Sequence, residues 1–166
     1  MRALIIAALM MLMPTWVWAV DRALAFAVSG VVTEVKVKAG QSVKSGDVLA
    51  VLDLKPFQAK KRAADAAVKA TKTIFDLADL RYNQTRELFD ALSTSAENVE
   101  IAQTARAEAL MSFENARRDA ALAAWALDRA NLKAPFAGTV SATPGYAGMV
   151  VNAEAGPMAV VVVNAP

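Results

Sequence analysis

The side chains that could do covalent or acid–base chemistry are few in this sequence. It contains no Cys and no His, so thiol nucleophiles, disulfides and the commonest general base and metal ligand are all missing. What remains is carboxylate and amine chemistry. Asp47, Asp53 and Glu154 lie in turn segments, but no two of them stand at a spacing that suggests an acid/base pair. They read as solvated surface groups. No catalytic, cofactor-binding or metal-binding residue is assigned, and an enzyme is not expected. The net charge is +2, which gives no reason to expect a nucleic-acid partner. With 166 residues, the chain has room for one domain, or one small domain carrying a large insertion.

The informative spacing is that of glycine and valine. "SGVVTEVKVKAGQSVKSGDVLAVL" starts at Ser29, and "AGTVSATPGYAGMVVNAEAGPMAVVV" comes later in the chain. Aligned, Gly138 falls on Gly30, Val140 on Val32, Gly148 on Gly40 and Val151 on Val43. A two-residue insertion then brings Gly156 onto Gly46. Val31, Thr33, Val35 and Val37 alternate with Val32, Glu34, Lys36 and Lys38, the period of a strand with one apolar face. Gly40 and Gly46 suit turn positions, and Val43 between them is an apolar residue able to fold back onto a core. Each copy is too short to bury a core alone, so the two are expected to pair.

Between the copies lies a different pattern. Pro56 sits where the first turn of a helix tolerates it, and from there to about Leu92 no Gly and no further Pro occurs. Apolar or small residues recur at steps of three and four: Phe57, Ala64, Ala67, Thr71, Ile74, Ala78, Leu88 and Leu92, with Arg81 and Thr85 interrupting. A second run, over about 95–130, does so through Val99, Ala102, Ala109, Phe113, Ala116, Ala120, Ala123, Leu127 and Ala130. This is the coiled-coil period, and its alanines imply close helix approach. The break "ALSTSAEN" holds Thr94 and Glu97 at capping-box spacing. Two helices, at about 56–92 and 95–130, should therefore form an antiparallel hairpin over 55–132, whose ends return to one place. On spacing alone, Leu88 and Leu92 belong to the helix seam, and Thr94 and Ser95 to a helix cap.

The N-terminus reads as an address. Arg2, the apolar run Ala3 to Met13, the break at Pro14, and the small residues Val17 and Ala19 form a signal peptide over 1–19, with cleavage expected after Ala19. An uncleaved anchor helix is the other reading, since the run to Val20 nearly reaches bilayer length. Either way the chain is directed across a membrane, and its lack of Cys suits a bacterial periplasm.

These features together resemble the periplasmic adaptor proteins, or membrane fusion proteins, of bacterial tripartite efflux pumps and type I secretion systems. The resemblance rests on "SGVVTEVKVKAGQSVKSGDVLAVLD", on "LKAPFAGTV", and on the hairpin between them. It implies an α+β fold: a lipoyl-like sandwich whose halves, 20–54 and 133–166, are split by the coiled-coil arm. In it Gly30, Gly40, Val43, Gly46, Pro135, Gly138, Gly148 and Gly156 shape the turns and frame, and Ala137 stands where an Asp is common. By the same resemblance the hairpin tip contacts an outer-membrane channel. The family's Arg–Leu–Ser spacing maps onto Gln84, Leu88 and Ser95, with Leu92 and Thr94 beside them, and Gln84 replaces the Arg. The implied partners are that channel, an inner-membrane transporter of RND or ABC type, and further copies of the chain in a ring, commonly a hexamer. Localisation would be periplasmic, at the inner membrane. Adaptors usually continue into a β-barrel and a membrane-proximal domain. This sequence ends at "VVVVNAP", so a short form, minimal or truncated, is expected.

Two other functions compete with the adaptor. A carrier domain would present a modified Lys in the turn joining its halves, where this chain has the hairpin instead. A periplasmic scaffold or chaperone-like protein would use the hairpin as a clamp.

Overall fold

The computed structural model describes residues 20–165. The proposed signal peptide, 1–19, lies outside them. Two four-stranded sheets and one helical hairpin make up the described residues. One sheet has the order β1 (Val20–Leu24), β8 (Val161–Ala165), β6 (Gly138–Ala142), β3 (Ser42–Val43). The other has the order β5 (Asn131–Lys133), β4 (Val48–Leu52), β2 (Gly30–Val35), β7 (Val150–Val151). A short 3₁₀ turn, Ala153–Ala155, precedes β8.

Each sheet takes strands from both halves of the repeat. Val43 of the first copy pairs with Gly138 of the second, and Gly30 of the first pairs with Val151 of the second. The exchange is reciprocal down to single hydrogen bonds. The Gly40 N–H donates to the Val140 carbonyl at 2.7 Å, and its counterpart Gly148 donates to Val32 at 2.7 Å. Val140 donates back to Gln41 at 2.9 Å, and Val32 donates back to Met149 at 2.8 Å. Gly40, Gly46, Gly148 and Gly156 all have positive φ, between 85° and 117°, so both copies turn in the same way at equivalent places. At Gly138 a Cβ would stand 2.2 Å from the Asn164 carbonyl oxygen, so glycine is needed there for backbone approach.

The core lies between the sheets and draws evenly on both copies. Val32, Val43, Leu49 and Leu52 are buried with Leu132, Val140, Val151 and Val163. Among the described residues no charged or polar side chain is buried. Pro135 sits at the edge, where its carbonyl accepts a hydrogen bond from the Ser45 hydroxyl at 3.2 Å.

The arm leaves from β4 and returns into β5. These strands pair antiparallel through Val51–Asn131, Ala50–Leu132 and Val48–Lys133, which ties the two ends of the hairpin together. Helix α1 runs Leu54–Asp90, capped by the Asp53 side chain, which accepts from the Lys55 N–H. Helix α2 runs Ala96–Arg129. At 1.5 Å per residue they are about 55 and 50 Å long. Where α2 re-enters the sheet, the Lys133 ammonium lies 2.5 Å from Asp128; that hydrogen bond and charge hold the Asp128 carboxyl below its usual range. No described helix is long and apolar enough to cross a membrane.

The α2 seam holds every position read from the sequence, and Arg106 fills the gap between Ala102 and Ala109. The α1 seam differs. It runs through Phe57, Lys61, Ala64, Val68, Thr71, Phe75, Ala78, Tyr82 and Thr85, all at least half-buried. Ala67, Ile74 and Leu88 lie off it, exposed. The larger Phe75 and Tyr82 win the interior: Phe75 stacks on Phe113 with centroids 6.1 Å apart. The Arg106 guanidinium lies over both Phe75 and Tyr82, at 5.9 and 5.5 Å, and pairs with Asp79.

Candidate functional site

The turn between the helices is where the sequence breaks a local rule. Helix α1 ends in a Schellman arrangement: the Leu92 N–H donates to Phe89 at 2.9 Å, and the Ser93 N–H donates to Leu88 at 2.7 Å. The pivot residue of this motif takes left-handed backbone and is usually Gly. Here it is Leu92, with φ of 57°, the one non-Gly residue at positive φ among those described. The conformation costs about 1–2 kcal/mol for a residue with a Cβ. Packing does not offset this, because Leu92 is 93% exposed. So Leu92 is neither the helical residue nor the seam residue that spacing suggests. It is an apolar side chain held out at the apex.

Ser95, not Thr94, is the N-cap of α2; its hydroxyl accepts from the Asn98 N–H at 3.3 Å. Thr94 stands one residue outside, where its hydroxyl accepts from the Asn98 side-chain amide at 2.9 Å. The capping-box expectation is thus displaced by one residue. Helix α2 begins at Ala96, and Glu97 contributes its charge to the first turn, where the helix dipole favours an acid.

Below the apex, one face of the hairpin is hollowed into a groove of about 640 Å³. Gln84, Leu88 and Thr94 line its upper end. Three of the five tip residues singled out in the sequence therefore meet there, whereas Leu92 sits at the apex and Ser95 serves as a cap. The groove continues toward the base between Ile74, Leu77 and Arg81 on α1 and Asn98, Ile101 and Ala105 on α2. Spacing places Ile74 in the interior, and does not single out Leu77 or Ile101. Both apolar lips are well exposed, Ile74 at 58% and Ile101 at 60%. A signal for the groove is present in the sequence: Ala63, Ala67, Ala70, Ile74, Leu77, Arg81, Gln84 and Leu88 step by four and three without a break, a second stripe beside the true seam.

The described residues hold no group of three His, Cys, Asp or Glu side chains able to cage a metal. The surface offers contact: a projecting leucine, a polar rim and an apolar trough.

Comparison with known proteins agrees with the fold. Residues 24–163 match the family model described as RND MFP, barrel-sandwich hybrid domain. The cation efflux system protein CzcB of Alcaligenes sp. is 33% identical over 117 residues, which is 68% of this chain and 22% of that protein. The chain thus spans about a fifth of the length of the curated relatives it matches. Among solved structures, a MacA–MexA chimera carrying the α-hairpin domain of Pseudomonas aeruginosa MexA is 26% identical, with a TM-score of 0.55, over 87% of this chain and 48% of the chimera. The membrane fusion protein Spr0693 of Streptococcus pneumoniae R6 shares the fold at 18% identity, with a TM-score of 0.66, over 87% of this chain and 59% of its own.

Proposed function

This chain belongs to the RND membrane fusion protein family of efflux adaptors, and from that premise we propose that it is the periplasmic adaptor subunit of a tripartite efflux or secretion system, joining an inner-membrane transporter to an outer-membrane channel through its hairpin tip. Proteins of this family are structural components rather than enzymes. The observation that carries the reading is Leu92. A strained, 93% exposed leucine at the end of a two-helix arm has no structural use of its own, and strain without a packing gain points to contact with a partner. Gln84, Leu88, Thr94 and Ser95 complete the contact zone, and Gln84 supplies a hydrogen bond where the family's arginine would bring charge. The arm acts mechanically. Copies gather into a ring, commonly six, and line a sealed path. The named relative is a cation efflux system protein, and cargo selection here would rest with the transporter.

The test is a photo-crosslinking amino acid placed at Leu92 in cells. Capture of an outer-membrane channel protein, lost when the crosslinker is moved to the exposed Lys44 in the β-domain, is the expected result. Capture of many unrelated periplasmic proteins instead would support the scaffold or chaperone reading and overturn the adaptor.

A further inference from the structure

The groove has a feature that tip contact leaves unused. On α1 the exposed stripe from Ala63 to Leu88 keeps the 3.5-residue period of a helix seam over seven steps. Its apolar members Ile74 and Leu77 are 58% and 47% exposed. On α2 a matching stripe runs Asn98, Ile101, Ala105, Glu108 and Ser112, on the same side of the hairpin, since Asn98, Ile101 and Ala105 line the groove opposite Ile74, Leu77 and Arg81. The opposite side is different in kind. It carries the Lys72–Asp76 and Glu114–Arg117 ion pairs and suits water. One face of the arm is therefore built to pack against another helical pair.

We propose that this face docks a second copy of the same hairpin, face to face, with both tips pointing the same way. Three observations select that occupant. First, at 100° per residue the exposed stripe of α1 lies about 110° around the helix from the internal seam. That is near the right angle of a four-helix bundle, and far from the nearly opposite seams that helices standing side by side in a wall require. Second, sizes complement. The pairs Phe75–Phe113 and Asp79–Arg106 set the level of one helix against the other. At those levels Ile74 would face Ser112, Leu77 would stand between Ser112 and Glu108, and Ala63, Ala67 and Ala70 would face Leu122, Asp119 and Asn115. Third, charges complement. Neither Arg81 nor Glu108 has an ion-pair partner among the described residues. Helical side chains lean toward their own N-terminus, so Arg81 leans toward the base and Glu108 toward the tip. With tips aligned, α1 lies over the α2 of the other copy, and Arg81 meets the partner's Glu108 within a turn. With tips opposed, α1 would lie over α1, whose stripe holds no acid. The inference goes beyond the ring proposed above: a face-to-face pair is closed by a two-fold axis and is a different contact from that between neighbours in a ring. Occupation of Gln84 and Leu88 by a second copy excludes a channel there, so the two contacts exclude one another.

The absence of Cys makes the test clean. Protein from cells expressing the full chain, carrying Arg81→Cys, is mixed with protein carrying Glu108→Cys and oxidised mildly. A disulfide-linked heterodimer is expected, exceeding either homodimer by at least about tenfold. Sedimentation should show a concentration-dependent dimer, abolished by Leu77→Glu and retained by Lys69→Glu on the back of the arm. Circular dichroism of Leu77→Glu should retain the helix signal, which separates lost docking from lost folding. A monomer at every concentration, a dimer indifferent to Leu77→Glu, or an Arg81→Cys protein that links to itself rather than to the Glu108→Cys protein overturns the proposal. Channel capture at Leu92 is read separately in cells, so failure of either idea leaves the other standing.

Discussion

At the scale of the residue, Leu92 shows how a cost can be read as a clue. A glycine at this pivot would remove the clash between Cβ and the carbonyl, and almost no buried contact would be lost. Leu92→Gly should therefore stabilise the chain, by about 1 kcal/mol. The same change should abolish capture of the outer-membrane channel by a crosslinker moved to Leu88. Thermal unfolding followed by circular dichroism reads the first effect, and the crosslink the second. A variant that is both more stable and fully able to engage the channel would mean that the exposed side chain has no role at the tip. Gly138 is the opposite case. Its lack of a side chain serves only the approach of β6 to the Asn164 carbonyl, and no contact function is needed to explain it.

At the scale of the element, the two helices differ in how much their sequence discloses. The seam of α2 is legible because small and apolar residues keep its steps of three and four from Val99 to Ala130, and Arg106 alone interrupts them. Arg106 can occupy a seam position because Phe75, Tyr82 and Asp79 receive its stem and charge. Helix α1 carries two interleaved stripes of equal period. Spacing cannot rank Ala67 and Ile74 against Val68 and Phe75; only the match of shapes across the interface does so. The tip is obscured for a related reason. "LSTS" offers three adjacent hydroxyls, and one residue of helix fraying decides which becomes the cap. The interhelix distance is a consequence of the small residues in the α2 seam. Ala123 is 2% exposed, leaving no room for growth. Ala123→Leu should force the helices apart or the leucine off its rotamer, at about 1–3 kcal/mol. The midpoint of thermal unfolding should fall, while Ala121→Leu on the exposed side should leave it almost unmoved. Equal effects at both sites would show that close approach does not hold the arm together.

At the scale of the whole molecule, the chain is a duplication with its halves interlocked. The repeat is plain in the sequence, because glycines and valines recur at fixed intervals. That strands are exchanged between sheets, rather than each copy forming its own, is not, since both arrangements satisfy the same alternation. The exchange has a consequence for connectivity. β1 to β4 come from the first half and β5 to β8 from the second, yet each sheet holds both kinds, and the core valines and leucines alternate in origin. Fully burying each such side chain contributes about 1.5–3 kcal/mol. Neither half can retain that burial alone. The continuous chain through the tip supplies proximity, not structure, because the β-domain core receives little from the arm: Ala130 at the end of α2, and Leu54 and Phe57 of α1, partly buried against it. Brief chymotrypsin treatment should cut after the exposed Leu92, and the two fragments should then travel as one particle through gel filtration. Their unfolding should remain a single cooperative transition, now dependent on protein concentration because the tether is gone. Fragments that separate without denaturant would show that the tip connection, rather than the shared sandwich, holds the halves together.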